Sequence, residues 1–208
     1  MASIDRRTCL AIVGAGALST VLARRGDSRP RVTSTREAIR SRYFPDVVLR
    51  THRNDRVRFY DDLIKDKVVL INFMYAHCEG ICPGITANLV KVQKLLGDRV
   101  GRDIFMYSIT LKPWEDTPAI LKGYAAIYNV GPGWSFLTGH PADIELLRRK
   151  LGFVNPDPKL DADSSQHIGN IRYGNEPLQL WAACPGLAAP SWIVESLGWL
   201  DRRGTPAA

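Results

Sequence analysis

The sequence predicts an α/β domain in which a central, mostly parallel sheet is flanked by helices. One run, Val68 to Tyr75, is almost wholly apolar and rich in β-branched residues, which suits a strand buried on both faces. Further strand-like runs alternate with amphipathic helical segments, and that alternation is typical of a parallel sheet covered by helices. The 208 residues, 45% hydrophobic and 24% charged, suffice for one globular domain plus a leader or tail.

Each element after the first strand has its own start or stop signal. Pro83 begins a helix that Gly97 ends, and Thr117-Pro118 begins a second helix that runs to about Asn129. Gly152 ends a third helix. That third helix covers residues 142–151, and the remaining predicted elements are strands at 104–111, 134–137 and 168–173 and a helix at 191–200.

The first 25 residues have the pattern of an export signal or an N-terminal anchor. Arg6-Arg7 resemble a twin-arginine signal and precede an apolar run that is too short and too rich in glycine and alanine to span a membrane. No clear cleavage site follows, so an uncleaved anchor that associates with the membrane stays open. Both alternatives predict a periplasmic domain. We expect residues 26–44 to be a basic tether and residues 45–205 to be the domain.

The basic excess of the chain lies in its N-terminal part. Residues 1–60 hold 13 arginines and 5 acidic residues, a net charge of +8, whereas the whole chain has a net charge of +7. The rest of the chain is therefore nearly neutral. Nucleic-acid-binding domains have a basic patch and a recognisable reading motif, and this sequence has neither on its predicted domain. The sequence thus argues against a nucleic-acid partner.

Two cysteines lie between the first strand and the first helix, in the sequence Cys78-Glu79-Gly80-Ile81-Cys82-Pro83. Cysteines four positions apart in a tight loop can form a disulfide, or they can present two thiolates to one metal ion. We expect Cys82 to cap the helix and to have the lower thiol pKa of the two, because the N–H groups and dipole of a helix start favour an anion. Cys184 is expected to be a buried apolar residue.

His167 is the natural third ligand, because it directly precedes the strand predicted at 168–173, which the sheet would place beside the first strand. A lone histidine is otherwise a surface residue or a hydrogen-bonded core residue, and that alternative stays open on position alone. Two thiolates and one imidazole favour Cu(I), and the same set could hold Zn(II) with an open position. The other histidines are less favourably placed: His52, His77 and His140.

Three stretches resemble the SCO/SenC family. The sequence NFMYAHCEGICPGITANL, residues 72–89, is similar to its cysteine motif, and SITLKPWEDTP, residues 108–118, to its second signature. Gln166-His167-Ile168-Gly169 falls where the family has its metal-binding histidine. The resemblance covers residues 45–200 and implies a thioredoxin-like fold that binds copper through Cys78, Cys82 and His167. It also implies that Cys78 and Cys82 are a redox pair, and that the protein delivers copper to, or reduces, the copper site of a respiratory oxidase or another copper protein.

The sequence departs from the family pattern at two places. Lys112 stands where the family usually has an acidic residue before the proline, and Ser165-Gln166 stand where an acidic residue commonly precedes the histidine. These departures bear on which client protein receives the metal more than on which metal is bound.

A metal-independent thiol-disulfide oxidoreductase or thiol peroxidase is the alternative function. Thioredoxin-type oxidoreductases have two residues between their cysteines, whereas this chain has three. A peroxidase needs an arginine and a threonine near its cysteine, and Glu79-Gly80-Ile81 supplies neither. A binding module with a structural disulfide would leave His167 unexplained. The favoured hypothesis is a metallochaperone with reductase activity as a companion.

Overall fold

The computed structural model describes residues 35–162 and 169–200. A π-helical turn, Phe59–Ile64, precedes the third strand, and a 3-10 turn, Gly97–Arg99, follows the second helix. In chain order the helices and strands are α1 (Thr35–Tyr43), β1 (Val48–Thr51), β2 (Arg56–Arg58), β3 (Val68–Met74), α2 (Cys82–Leu96), β4 (Ile104–Thr110), α3 (Pro118–Ile127), β5 (Trp134–Gly139), α4 (Pro141–Lys150), α5 (Pro158–Ala162), β6 (Asn170–Asn175), β7 (Leu180–Pro185) and α6 (Pro190–Leu200).

The strands of the described residues form one sheet in the order β2-β1-β5-β4-β3-β6-β7. The predicted class, a central sheet flanked by helices, is confirmed, but the sheet is mixed rather than mostly parallel. Only β3, β4 and β5 run parallel. Strand β6 begins beside Asn72 and runs back towards Val68, so β6 is antiparallel to β3, and β7 pairs with it as a hairpin. Strands β1 and β2 form a second antiparallel hairpin against β5.

Strand β3 is the centre of the core, and all seven of its residues are buried, as the apolar run predicts. Its side chains alternate between two faces of the sheet. Leu70 and Met74 belong to a cluster that includes apolar residues of α2, α3 and α6. Ile71 and Phe73 belong to a second cluster, which includes apolar residues of α4. Helices therefore cover the parallel strands on both faces.

A buried chain of hydrogen bonds connects the three parallel strands. The Ser108 hydroxyl of β4 donates to Oδ1 of Asn72 in β3 at 2.6 Å. Nε1 of Trp134 in β5 donates to the same hydroxyl at 2.9 Å. Because an unpaired buried polar group is costly, this chain of bonds favours one register among the three strands.

Helix α1 occupies part of the predicted tether and is held to the sheet through Glu176. Arg36 donates to both carboxylate oxygens of Glu176, at 2.8 and 2.5 Å. The Tyr60 hydroxyl and the Asp66 backbone N–H donate to the same carboxylate at 2.8 and 2.9 Å. The Glu176 side chain is only 1% exposed. Residues 35–43 are thus joined to the domain by a buried, fully hydrogen-bonded carboxylate.

The predicted leader and the first part of the predicted tether, residues 1–34, lie outside the described residues. Within residues 35–162 and 169–200, no helix combines the length and the hydropathy needed to cross a bilayer.

We predict that Glu176→Gln destabilises the fold at neutral pH and that the effect fades in acid. Burial raises the pKa of Glu176, but the hydrogen bonds from Arg36, the Asp66 N–H and Tyr60 outweigh burial, so the pKa lies below its ordinary value. The stabilisation is complete above the unfolded pKa of about 4.3 and is lost as the pH falls through the folded pKa. At pH 7 the variant should lose about 1–3 kcal/mol of unfolding free energy.

Urea unfolding between pH 7 and pH 3 measures this difference. Glu195→Gln is the matched control, because Glu195 is exposed. A loss that is as large at pH 3 as at pH 7 would contradict the assignment.

Candidate metal and thiol site

The two cysteines lie where the buried strand β3 gives way to α2. Strand β3 ends at Met74, and the loop from Tyr75 to Ile81 leads into a helix that begins at Cys82. Pro83 occupies the first turn, as the sequence predicts, because a helix start does not need its missing N–H. The cap position is Ile81 rather than Cys82. Cys82 is therefore the first residue of the helix itself.

Cys78 and Cys82 are not joined in a disulfide, and their thiols are hydrogen-bonded to each other. Both are buried: Cys78 is 8% exposed and Cys82 is 1% exposed. Both pack in the core cluster that α2 forms on the sheet. The loop thus brings together the two sulfurs that the sequence singled out and shields them from bulk water.

The pKa values of the two thiols are shifted in opposite directions. Burial alone would raise the pKa of Cys78, but hydrogen bonds from the Cys82 thiol, the Tyr75 hydroxyl and the N–H groups of Cys82 and Gly80 outweigh it and lower the pKa. Burial, and then the bond to Cys78, raise the pKa of Cys82. The expectation that Cys82 has the lower pKa is therefore wrong. The helix start favours an anion there, but the depth of Cys82 in the core outweighs this effect.

Tyr75 is a candidate site residue that the sequence alone does not reveal. It is buried, and its hydroxyl is one of the groups that stabilise a thiolate on Cys78. Nζ of Lys112 lies 4.5 Å from the centre of its ring, and the same Nζ is 3.5 Å from Glu115. The lysine that departs from the family pattern thus packs on the side chain that contacts the cysteine. In the sequence, Tyr75 appeared only as the last residue of an apolar strand.

Asp116 fixes the start of the cysteine loop. Its Oδ2 accepts hydrogen bonds from the backbone N–H of Ala76 at 3.1 Å and from the Thr110 hydroxyl at 2.5 Å. The residue is 1% exposed, and Oδ1 is buried without a hydrogen-bond partner in the part of the chain that the structure describes. In the sequence, Asp116 is only one residue of the second motif, 108–118, with no role of its own. Its burial reveals that it connects the end of β4 to the loop.

Two of the described histidines are hydrogen-bonded elsewhere in the fold, and the third is exposed. Nδ1 of His52 accepts the N–H of Phe136 at 3.1 Å, and burial lowers the pKa of His52. Nδ1 of His140 accepts the N–H of Ala142 at 3.4 Å and caps α4. His77 is exposed beside Cys78. No group of three metal-ligating side chains occurs within residues 35–162 and 169–200, and His167 lies outside these ranges.

The start of strand β6 lies close to the end of the cysteine loop. The backbone of Gly169, directly before β6, packs so closely against the side chains of Ile81 and Ile85 that a Cβ there would collide with them. Its carbonyl accepts the N–H of Gly186 at 2.8 Å. Cys184, in β7, is buried in the same cluster as expected, and burial raises its pKa to about 11.

We predict that Cys78 is alkylated by iodoacetamide faster than Cys82 at pH 7–8, because the thiolate is the reactive form and only Cys78 has a lowered pKa. Cleavage after Glu79 separates the two cysteines, so mass spectrometry can follow each one. Cys184 is the slow internal reference. Faster labelling of Cys82 would contradict the assignment.

The SCO1/SenC family model matches residues 49–171, more than half of the chain. The SCO1 protein homolog of Bacillus subtilis is 37% identical over 78 residues, which cover 37% of this chain and 40% of that protein. The matches to the first curated relatives span between 40% and 52% of their own lengths.

Two solved structures illustrate the similarity of fold. Copper-bound ScoI of Bradyrhizobium japonicum has a TM-score of 0.60 at 23% identity, over 74% of this chain and 96% of that one. BsSco, a member of the Sco family of cytochrome c oxidase assembly proteins in which a disulfide switch was identified, has a TM-score of 0.61 at 24% identity, over 76% of this chain and 92% of that one. The predicted thioredoxin-like fold is confirmed, and the chain belongs to the SCO1/SenC family.

Proposed function

We propose that the protein binds one copper ion through Cys78, Cys82 and His167 and delivers it to the copper site of a respiratory oxidase. The observation that carries the proposal is the pair of buried, reduced thiols that are hydrogen-bonded to each other at the start of α2. Copper-bound ScoI, a protein with the same fold, supports the choice of metal.

The donor set fits a soft metal ion. Thiolate ligands favour Cu(I), and an imidazole completes a three-coordinate set. Two sulfurs within hydrogen-bonding distance can both reach one ion, since metal–sulfur bonds are about 2.3 Å long. Binding requires both thiols to lose their protons, and copper supplies the positive charge that favours this loss at the buried Cys82.

The position of Gly169 supports His167 as the third ligand. Gly169 lies two residues beyond His167 in sequence, and its backbone contacts Ile81, which stands directly before Cys82. The described residue two positions after His167 therefore lies beside the cysteine loop. His140 and His52 each use Nδ1 as an acceptor elsewhere, which makes them poorer candidates.

The two thiols would have different roles in copper transfer. Cys78 is the more exposed of the two cysteines and has the lower thiol pKa, so it is suited to be the first ligand that an incoming or outgoing ion meets. Cys82 is held deeper, at the first residue of a helix packed in the core. Tyr75 and the Asp116–Ala76 hydrogen bond would keep the loop in place while ligands exchange.

The same thiols support thiol-disulfide exchange as a companion function. Cys78 would attack a client disulfide as the thiolate, and Cys82 would then resolve the mixed disulfide. The client gains two electrons and two protons, and Cys78 and Cys82 become a disulfide. The unequal pKa values favour this order of attack. The identified disulfide switch of BsSco, which has the same fold, supports the capacity for this exchange.

The proposed location is the periplasm, where the domain is exported or anchored by its N-terminal segment. The support is the Arg6-Arg7 pair followed by a short apolar run. Recovery of the whole protein from the cytoplasmic fraction of its host would contradict this location.

We predict that His167→Ala weakens Cu(I) affinity at least tenfold, which corresponds to about 1.4 kcal/mol, because it removes one ligand. Protein is purified without oxygen, and copper affinity is measured by competition with a chromophoric Cu(I) chelator. X-ray absorption of the wild type should show sulfur and nitrogen neighbours.

His140→Ala is the matched control and should bind copper as the wild type does, since His140 only caps α4. Cys184→Ser is the matched control for Cys78→Ser: the change at Cys78 removes a proposed ligand and should weaken copper binding, whereas the change at Cys184 should not. Equal losses in His167→Ala and His140→Ala would reject His167 as a ligand, and a copper shell of oxygen alone would reject the proposal.

A further inference from the structure

A cavity of about 800 Å³ lies between α1, the C-terminal end of α4 and the β6–β7 hairpin. Its walls belong to the α4 side of the sheet, whereas the cysteines belong to the cluster with α2. The size falls within the range of roughly 300–1,000 Å³ that is usual for small-molecule sites. The proposed copper function makes no use of it.

One wall of the cavity is apolar and aromatic. The rings of Phe44 and Trp181 lie 4.8 Å apart, and Ile39 and Leu151 extend this wall. The hairpin contributes two buried polar atoms that have no hydrogen-bond partner within the described residues, Nε1 of Trp181 and Oε1 of Gln179. The aromatic and aliphatic side chains of this wall can hold an apolar body.

The lining is otherwise cationic. Arg42, Arg149, Lys150 and Arg172 all line the cavity, and none of its lining residues is acidic. Arg149 is paired with Glu145, at 2.5 Å. The other three cations have no ion pair among the described residues, so they leave net positive charge beside the apolar wall.

Arg172 is the innermost of these cations. It lies in β6, is partly buried, and its guanidinium packs against the backbone of Gly152, where a Cβ would collide with Nη2. Gly152 follows Leu151, the C-cap of α4, and the carbonyl groups at a helix C-terminus favour a nearby cation. A partly buried guanidinium with no carboxylate partner among the described residues is still unusual, because buried charges are normally paired.

We propose that this cavity binds a small amphiphilic anion, with its head group at Arg172 and its apolar body against Phe44 and Trp181. An anionic head group would give the Arg172 guanidinium the charged partner that it lacks among the described residues. The apolar body would cover the aromatic wall. A soluble organic anion and an anionic lipid share this chemistry, so the experiment distinguishes them.

Isothermal titration of the full-length chain with 2-naphthoate tests the proposal, with 2-naphthalenemethanol as a neutral probe of the same shape. We expect saturable one-site binding of the anion and binding of the neutral probe that is at least tenfold weaker. Arg172→Gln should weaken 2-naphthoate binding at least tenfold, and Arg172→Lys less. Arg42→Gln, an exposed change at the same cavity, should weaken it several-fold without affecting the fold. Arg56→Gln, an exposed change in β2, should leave it unchanged.

Vesicles identify the source of the ligand. Binding to phosphatidylglycerol vesicles but not to phosphatidylcholine vesicles, lost in Arg172→Gln, would support the proposal with a lipid as the ligand. Saturable 2-naphthoate binding without such a preference would support it with a soluble anion. Equal affinity for both naphthalene probes, unchanged affinity in Arg172→Gln and Arg42→Gln, or no binding to any probe or vesicle would overturn it.

Discussion

Strand β3 is hydrogen-bonded on both edges, to β4 and to β6, and all seven of its residues are buried. A strand so enclosed cannot shift its register by one residue without moving every side chain to the opposite face of the sheet. Its end at Met74 is therefore fixed, and the chain leaves the sheet there through the loop that leads to α2. The positions of Cys78 and Cys82 depend on this constraint, because the loop between them and β3 is short and is held by Asp116.

The chemistry of the loop depends on a balance between burial and hydrogen bonding. Both cysteines are buried, yet burial determines the pKa of Cys82 while hydrogen bonds determine that of Cys78. The two thiols therefore have different properties. The Cys78 thiol is the better nucleophile, and the Cys82 thiol stays protonated until a metal ion binds or the thiol is oxidised. Such a division suits both copper transfer and thiol-disulfide exchange, and the two functions proposed above share one physical basis.

Much of this architecture was predictable from the sequence, because its signals are local. The apolar run of β3, Pro83 at the start of α2 and Thr117 as the cap of α3 correspond to the structure. Strands β1, β2 and β7 are short or partly exposed and have no comparable pattern, and the direction of β6 depends on tertiary pairing. Asp116 acquires its role only through a contact across the fold, and Tyr75 only through the conformation of the loop that brings its hydroxyl to Cys78. The depth of Cys82, which reverses its expected pKa, is likewise a tertiary property.

The central claim is that Cys78 and Cys82 serve copper and the disulfide with the same two sulfur atoms. A metal needs thiolates, whereas a disulfide has no thiolate to offer, so the two states must exclude each other. The direct measurement is the Cu(I) affinity of one preparation before and after controlled oxidation, with the thiol content followed in parallel. We expect one copper per reduced chain, none on the oxidised chain, and a two-electron couple that disappears in Cys78→Ser and in Cys82→Ser. An oxidised protein that holds copper as tightly as the reduced one would contradict the central claim.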